Sequence, residues 1–306
     1  MQPVRVLFFG STGDSVLVLR RLMDITGVSV RAAITQPPRP VGRQNVVTPT
    51  PIELFAKAHD IPVLSFPSDP IHPNRYLDGA TVVNTLAPFK AELLVSASYG
   101  QKIPSETIAH AAYGGLNVHP SLLPRWRGAD PVPWAILSGD RQIGVSVVTL
   151  SDRFDSGMII AQKKIPITNK DFSDPLRTKL FMLGADLLAG TLTDYISGKN
   201  KGVQQNVAGA PVSKRFFRED GFEPWETLQK AFTNPEEAVR LDRKFRALMP
   251  WPGLWTTVPV PPAGDKRLKI ISCHLSPDSR LVPDSVQVEG KKPVSYAQFT
   301  AAYTAS

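Results

Sequence analysis

Cysteine is almost absent: Cys273 stands alone among 306 residues. That excludes a disulfide framework, a cysteine-rich zinc site and a CxxC redox pair. The five histidines (His59, His72, His110, His119 and His274) form no HxxxH or HxH pair, so no protein-built metal site is expected. No apolar run approaches the roughly 20 residues that a membrane span needs. The chain enters an apolar strand pattern at once, with no signal peptide and no Arg-rich amphipathic presequence before it. Internal repeats and low-complexity segments are missing too. What is present is a 42% hydrophobic composition, enough for a sizeable core. Lys and Arg outnumber Asp and Glu 35 to 27, a net charge of +8. Such a balance suits a polyanionic partner, although charge alone does not establish one.

"VRVLFFG" (residues 4–10) is a continuous apolar run, as a buried parallel strand requires. A Gly turn and the helical pattern "DSVLVLRRLMDI" follow. "VSVRAAITQ", "IPVLSF", "AELLVSASYG", "GGLNVH", "IGVSVVTL" and "GMIIAQKKIPI" read as further strands. Helical patterns lie between several of them, and a long one begins just after Asp174-Pro175. Strands alternating with helices argue for an α/β, Rossmann-like, mostly parallel open sheet. After Gly198 the texture becomes polar and Gly-rich, then Pro- and Gly-punctuated strands follow a single helix. The expected division is a catalytic domain over 1–197, a linker over 198–212 and a small β-rich domain over 213–306.

The first βα turn, "GSTGDS", has the wrong glycine spacing for a dinucleotide site, and the second strand ends in Thr35-Gln36 rather than an acid. A tight structural turn is the preferred reading. A helix N-terminus there offers backbone N–H groups to an anion as the alternative.

The stretch "GLNVHPSLLPRWRG" (residues 115–128) carries more chemistry. Asn117 and His119 are two apart at the end of an apolar strand, so both point to one side. Open α/β sheets bind ligands at the carboxyl ends of their strands. An Asn amide donates to an oxyanion without titrating, and a His beside it donates or carries a proton. Asp155, in "RFDSG", is the natural carboxylate to orient the His; Asp152 and Asp140 are weaker candidates. The competing reading is a His119 that only finishes the strand.

These residues carry a family resemblance. "NVHPSLLPRWRGADPVPWAILSGD", "GVSVVTL" and "FDSG" together resemble the signature of the folate-dependent formyltransferases, and "SLLPRWRG" resembles the branch that acts on methionyl-tRNA. "TQPPRPVGR", "SASYGQKIP", "RALMPWPGLWT" and "VEGKKPVSYAQF" extend the resemblance over most of the chain. It implies that Asn117, His119 and Asp155 are the catalytic trio. It implies 10-formyltetrahydrofolate as donor and methionyl initiator tRNA as acceptor, in translation initiation. Tyr99, Gly100, Ser121, Leu122, Leu123 and Pro124 would then line the folate side. Arg39, Arg43, Arg125, Trp126, Arg127, Arg243, Lys244, Lys291 and Lys292 would meet tRNA, since Arg pairs phosphate and aromatics stack on bases. Each of these basic residues has a plainer alternative as ordinary surface charge. The C-terminal domain would be an OB-like β-barrel, shortened between Leu275 and Val286. The chain would act as a monomer.

"NVHPS" and "RFDSG" resemble mitochondrial members, so the mitochondrial matrix is expected for a eukaryotic source and the bacterial cytoplasm otherwise. The alternatives are a formyltransferase acting on an amino-sugar nucleotide or glycinamide ribonucleotide, and a basic tRNA-binding protein without catalysis.

Overall fold

A computed structural model describes residues 2–42, 44–260 and 264–303. They fall into two compact units: Met1–Gly128, Ile143–Ile165 and Arg177–Val212 make the first; Ala129–Gln142, Pro166–Leu176 and Ser213–Ser306 make the second.

The first unit begins with β1 (Val4–Gly10), α1 (Gly13–Met23) and β2 (Val28–Thr35). A hairpin of β3 (Arg39–Val41) and β4 (Val46–Thr48) follows. Then come α2 (Pro51–Lys57), β5 (Val63–Ser65), α3 (Gly79–Leu86), β6 (Leu93–Ala97), α4 (Ser105–His110), β7 (Gly115–His119) and the short β8 (Arg127–Gly128). After α5 (Pro131–Leu137), which belongs to the second unit, β9 (Gln142–Thr149) and β10 (Ile159–Pro166) complete the sheet, and α6 (Ser173–Ile196) runs on from them. The seven strands lie in the order β10-β9-β7-β6-β1-β2-β5. β5, β2, β1, β6 and β7 pair in parallel; β9 is antiparallel to β7. This is the expected mostly parallel, Rossmann-like sheet.

Its central strands read as apolar runs because both faces are covered. Phe8, Phe9, Leu93 and Leu94 of β1 and β6 are fully buried. At the end of β1, a Cβ on Gly10 would fall 2.6 Å from Ser15 Cβ, so only glycine lets α1 approach this closely. The turn binds three of its own amides. Thr12 caps α1 by accepting from the Ser15 amide, and Ser15 Oγ accepts from the amides of Ser11 and Thr12. Asp14 stands in the first helical turn and takes Arg177 Nε at 2.6 Å. Asp14 thereby places a negative charge in the first turn of α1, where a helix N-terminus favours one.

The second unit holds α5, then the end of the two-residue β11 (Val212–Ser213), α7 (Trp225–Lys230), α8 (Pro235–Leu248), β12 (Trp255–Pro259), β13 (Asp265–Leu275), β14 (Leu281–Val288), β15 (Val294–Ser295) and α9 (Tyr296–Tyr303). β12 to β15 pair in sequence order as an antiparallel four-stranded sheet. This four-stranded antiparallel sheet is what the structure shows of the small β-rich domain expected there. Leu241 and Phe245 of α8 pack into its core with Leu268, Ile270 and Phe299, and Leu248, at i+7 from Leu241, is buried as well. Arg246 of the same helix is buried. It binds Asp242 at 2.8 Å and the Asp171 carbonyl at 3.0 Å.

Candidate active site

Asn117 and His119 close β7, and their side chains meet at one carboxylate. Asn117 Nδ2 donates to Asp155 Oδ1 at 2.9 Å. His119 Nδ1 lies 3.4 Å from the same oxygen. The other carboxylate oxygen, Oδ2, accepts the backbone amide of Gly128 at 3.0 Å. The side chains of His119 and Asp155 are each only 7% exposed, so these contacts work in a low dielectric. Asn117 is half-buried. Asp152, the weaker candidate three residues earlier, is exposed.

The Asp155 loop is held in an unusual backbone shape. Asp155 has φ +54, in the left-handed region that Asp and Asn tolerate better than other side chains. Two residues later the loop presses on β9: a Cβ on Gly157 would lie 1.9 Å from the Thr149 carbonyl oxygen. Gln205 Nε2 donates to the carbonyls of Asp155 at 2.8 Å and Gly157 at 2.7 Å. Gln205 lies in the polar segment that reads from sequence as a linker, and no spacing rule singles it out.

The loop after β7 is stapled from behind. Ser121 is fully buried; its hydroxyl donates to the Arg125 carbonyl and its own carbonyl accepts from Ser146 Oγ at 2.6 Å. The Leu123 amide donates to Ser146 Oγ, and Gln162 Nε2 donates to the Leu123 carbonyl at 2.9 Å. Ser146 and Gln162 sit inside strands, and the strand pattern does not single them out. Leu122 and Pro124 are half-buried on this loop. Trp126, at φ +59, turns its ring into the protein and is 7% exposed, with the Arg125 guanidinium over the ring at 4.5 Å. Its carbonyl oxygen lies 2.9 Å from His119 Nε2. Arg127 Nη1 donates to Ser156 Oγ at 3.1 Å, beside Asp155.

The remaining expected contacts divide. Gly100 is exposed at the end of β6, but Tyr99 points into the core and its hydroxyl pairs with that of Tyr76 at 2.8 Å. Burial pushes both phenols up from their usual range. Arg39, Arg125, Lys291 and Lys292 are exposed; Arg43 lies outside the described residues. Lys244 is mostly buried and binds Glu223 Oε1 and the Phe222 carbonyl, each at 2.7 Å. Arg243 is half-buried, its guanidinium packed where a Gly139 Cβ would stand. The structure therefore gives Lys244 an internal partner, Glu223, and leaves Arg243 half-buried beside Gly139.

Asn117 and His119 thus end one β-strand and meet at one largely buried carboxylate, that of Asp155. The family model described as Formyl transferase matches residues 4–192, and the chain belongs to that family. Relatives named methionyl-tRNA formyltransferase include that of Roseiflexus sp., 36% identical over 279 residues, covering 90% of this chain and 78% of the relative. Another, from Halalkalibacterium halodurans, is 34% identical over 253 residues, covering 83% of this chain and 74% of the relative. Among solved structures, HypX from Aquifex aeolicus in complex with tetrahydrofolic acid shares the fold, with a TM-score of 0.57 at 16% identity, over 97% of this chain and 46% of that one.

Proposed function

We propose that the chain transfers the formyl group of 10-formyltetrahydrofolate to the amino group of methionyl initiator tRNA. The observation that carries this reading is the convergence of Asn117 Nδ2 and His119 Nδ1 on Asp155 Oδ1. Relatives that bear this activity in their names support the choice of acceptor. The donor brings a formyl carbon already activated on nitrogen. Attack by the methionyl amine places negative charge on the formyl oxygen and positive charge on the attacking nitrogen. Asn117 donates its second amide hydrogen to that oxygen, and His119 donates from Nδ1 when that nitrogen is protonated. Asp155 takes the amine proton, directly or through water, and returns it to the folate nitrogen as the carbon–nitrogen bond to the donor breaks.

The residues present suit a flat, partly apolar donor. Leu122 and Pro124 offer half-buried apolar surface, and Gly100 offers exposed backbone. Tyr99, Ser121 and Leu123 support these from behind. The acceptor reading assigns tRNA contact to the exposed Arg39, Arg125, Lys291 and Lys292. We place the reaction in the bacterial cytoplasm: the relatives named above are bacterial, which gives the mitochondrial expectation no support. No helix among the described residues is long and apolar enough to cross a membrane.

The test is incubation with 10-formyltetrahydrofolate and charged initiator tRNA, with an amino-sugar nucleotide in parallel. Formyl-methionyl-tRNA is the expected product. Formylation of the sugar alone overturns the acceptor, and tRNA binding without formyl transfer overturns the enzyme.

A further inference from the structure

The polar stretch between Val203 and Pro211 has no apolar pattern, yet it is anchored at both ends. Val203 exchanges two backbone hydrogen bonds with Ile159, each 2.8 Å. Gln205 is 6% exposed and spends both hydrogens of Nε2 on the carbonyls of Asp155 and Gly157. Six residues on, the Pro211 carbonyl accepts the Trp126 amide at 2.9 Å. Trp126 is the residue whose carbonyl meets His119 Nε2. One segment therefore grips the backbone of both loops that bring groups to the trio.

We propose that Gln205 is a positioning residue for formyl transfer, and that residues 203–211 form a strap that sets the Asp155 carboxylate against Asn117 and His119. The proposal rests on the reading of the trio as catalytic. A left-handed backbone at a residue other than glycine persists only where its surroundings hold it. Asp155 is such a residue, and Gln205 binds the carbonyls on both sides of Ser156. Water has little access to replace those two bonds. Gln205 Oε1 is buried and has no hydrogen-bond partner, so the position uses the donor end of the amide alone. Methionine matches the size without the donors. Glutamate donates at most one hydrogen when protonated and none when ionised.

The test compares Gln205→Met, Gln205→Glu and, as a control, Gln204→Leu at the exposed neighbour. In steady-state formylation Gln205→Met loses about 10- to 100-fold in kcat, because small misplacements of reacting groups are costly. KM for both substrates stays within about twofold, since binding is not what the strap supplies. Gln204→Leu behaves as wild type. Gln205→Glu shows a pH limb that wild type lacks, with activity falling as the new carboxyl ionises.

Amide hydrogen exchange gives a readout independent of turnover. The Gly128 amide, bound to Asp155 Oδ2, exchanges faster in Gln205→Met, while the amides of β1 and β6 keep their protection. Wild-type kcat together with wild-type Gly128 exchange in Gln205→Met overturns the strap. So does a loss of activity that tracks a general loss of protection and a lower melting temperature. If the wild-type chain transfers no formyl group, the functional reading fails, and Gly128 exchange still decides whether Gln205 holds the loop.

Discussion

His119 reaches the Trp126 carbonyl oxygen through Nε2 at 2.9 Å. A carbonyl only accepts, so Nε2 carries a hydrogen, and Nδ1 is the nitrogen turned toward Asp155. The backbone of the "PRWRG" turn thereby decides which face of the imidazole works. Trp126 serves this through its main chain, while its ring plugs the loop onto the core.

Asp155→Asn isolates the carboxylate. The left-handed backbone accepts asparagine, so little strain is added. Three groups point at the present carboxylate: Asn117 Nδ2, the Gly128 amide and His119 Nδ1. An amide offers one oxygen and one NH2, so at least one of the two donors, Asn117 or Gly128, loses its acceptor. A buried group left unpaired costs about 1–3 kcal/mol. We expect kcat to fall by about 10²-fold or more, with that loss of stability, in single-turnover formylation and urea unfolding. Wild-type turnover in Asp155→Asn would sink the proton-carrying role.

Gly157→Ala tests the close approach of the Asp155 loop to β9. The new methyl meets backbone at Thr149, which has no rotamer to give way. Overpacking of this kind costs about 1–3 kcal/mol. The loop must lift to relieve it, and Asp155 lifts with it. The expected result is a lower melting temperature together with a drop in kcat. A variant that melts like wild type and turns over normally would show that the loop has slack.

Much of this was legible in the sequence, for identifiable reasons. β1, β6 and β7 read as apolar runs because both faces of a parallel sheet are covered. Asn117 and His119 stand out because two polar groups in alternation interrupt the apolar pattern at the end of a strand. Gln205, Ser146 and Gln162 were invisible because each acts by donating to backbone carbonyls or by taking a backbone amide, and a carbonyl leaves no trace in sequence. Lys244 misled for the converse reason: charge suggests a solvated face, yet it meets a carboxylate the helical pattern does not reveal. Glu223, the partner of Lys244, stands 21 residues away along the chain, outside α8 altogether.

Glu223 makes stability depend on pH. Burial alone would raise its carboxyl; hydrogen bonds from Arg240 and Lys244 outweigh burial and hold it below its usual value. Both terminal nitrogens of Arg240 and Lys244 Nζ sit within 2.9 Å of its oxygens. A depressed folded-state value means the stabilisation is present above the unfolded carboxylate pKa, near ~4.3, and is lost as pH falls through the lower folded value. Wild type should exceed Glu223→Gln in stability at neutral pH, and the gap should close in acid below that range. Urea unfolding at a series of pH values measures it. A gap that is constant with pH would mean the pair contributes through packing alone.

The exposed and the sequestered cations should separate in tRNA binding. Each phosphate contact contributes about 0.7–0.9 to the slope of log K against log salt. Lys291→Ala and Lys292→Ala remove charges on the surface, so each should weaken binding and flatten the slope by up to about that amount. Lys244→Ala removes a cation already paired with Glu223, only 12% exposed. It should leave the salt slope unchanged and lower the melting temperature instead, because a buried carboxylate loses a partner. Filter binding of charged initiator tRNA at several salt concentrations, set beside thermal unfolding, resolves the two effects. A flatter slope in Lys244→Ala with unchanged stability would return that lysine to the tRNA surface, and unchanged slopes in both Lys291→Ala and Lys292→Ala would remove them from it.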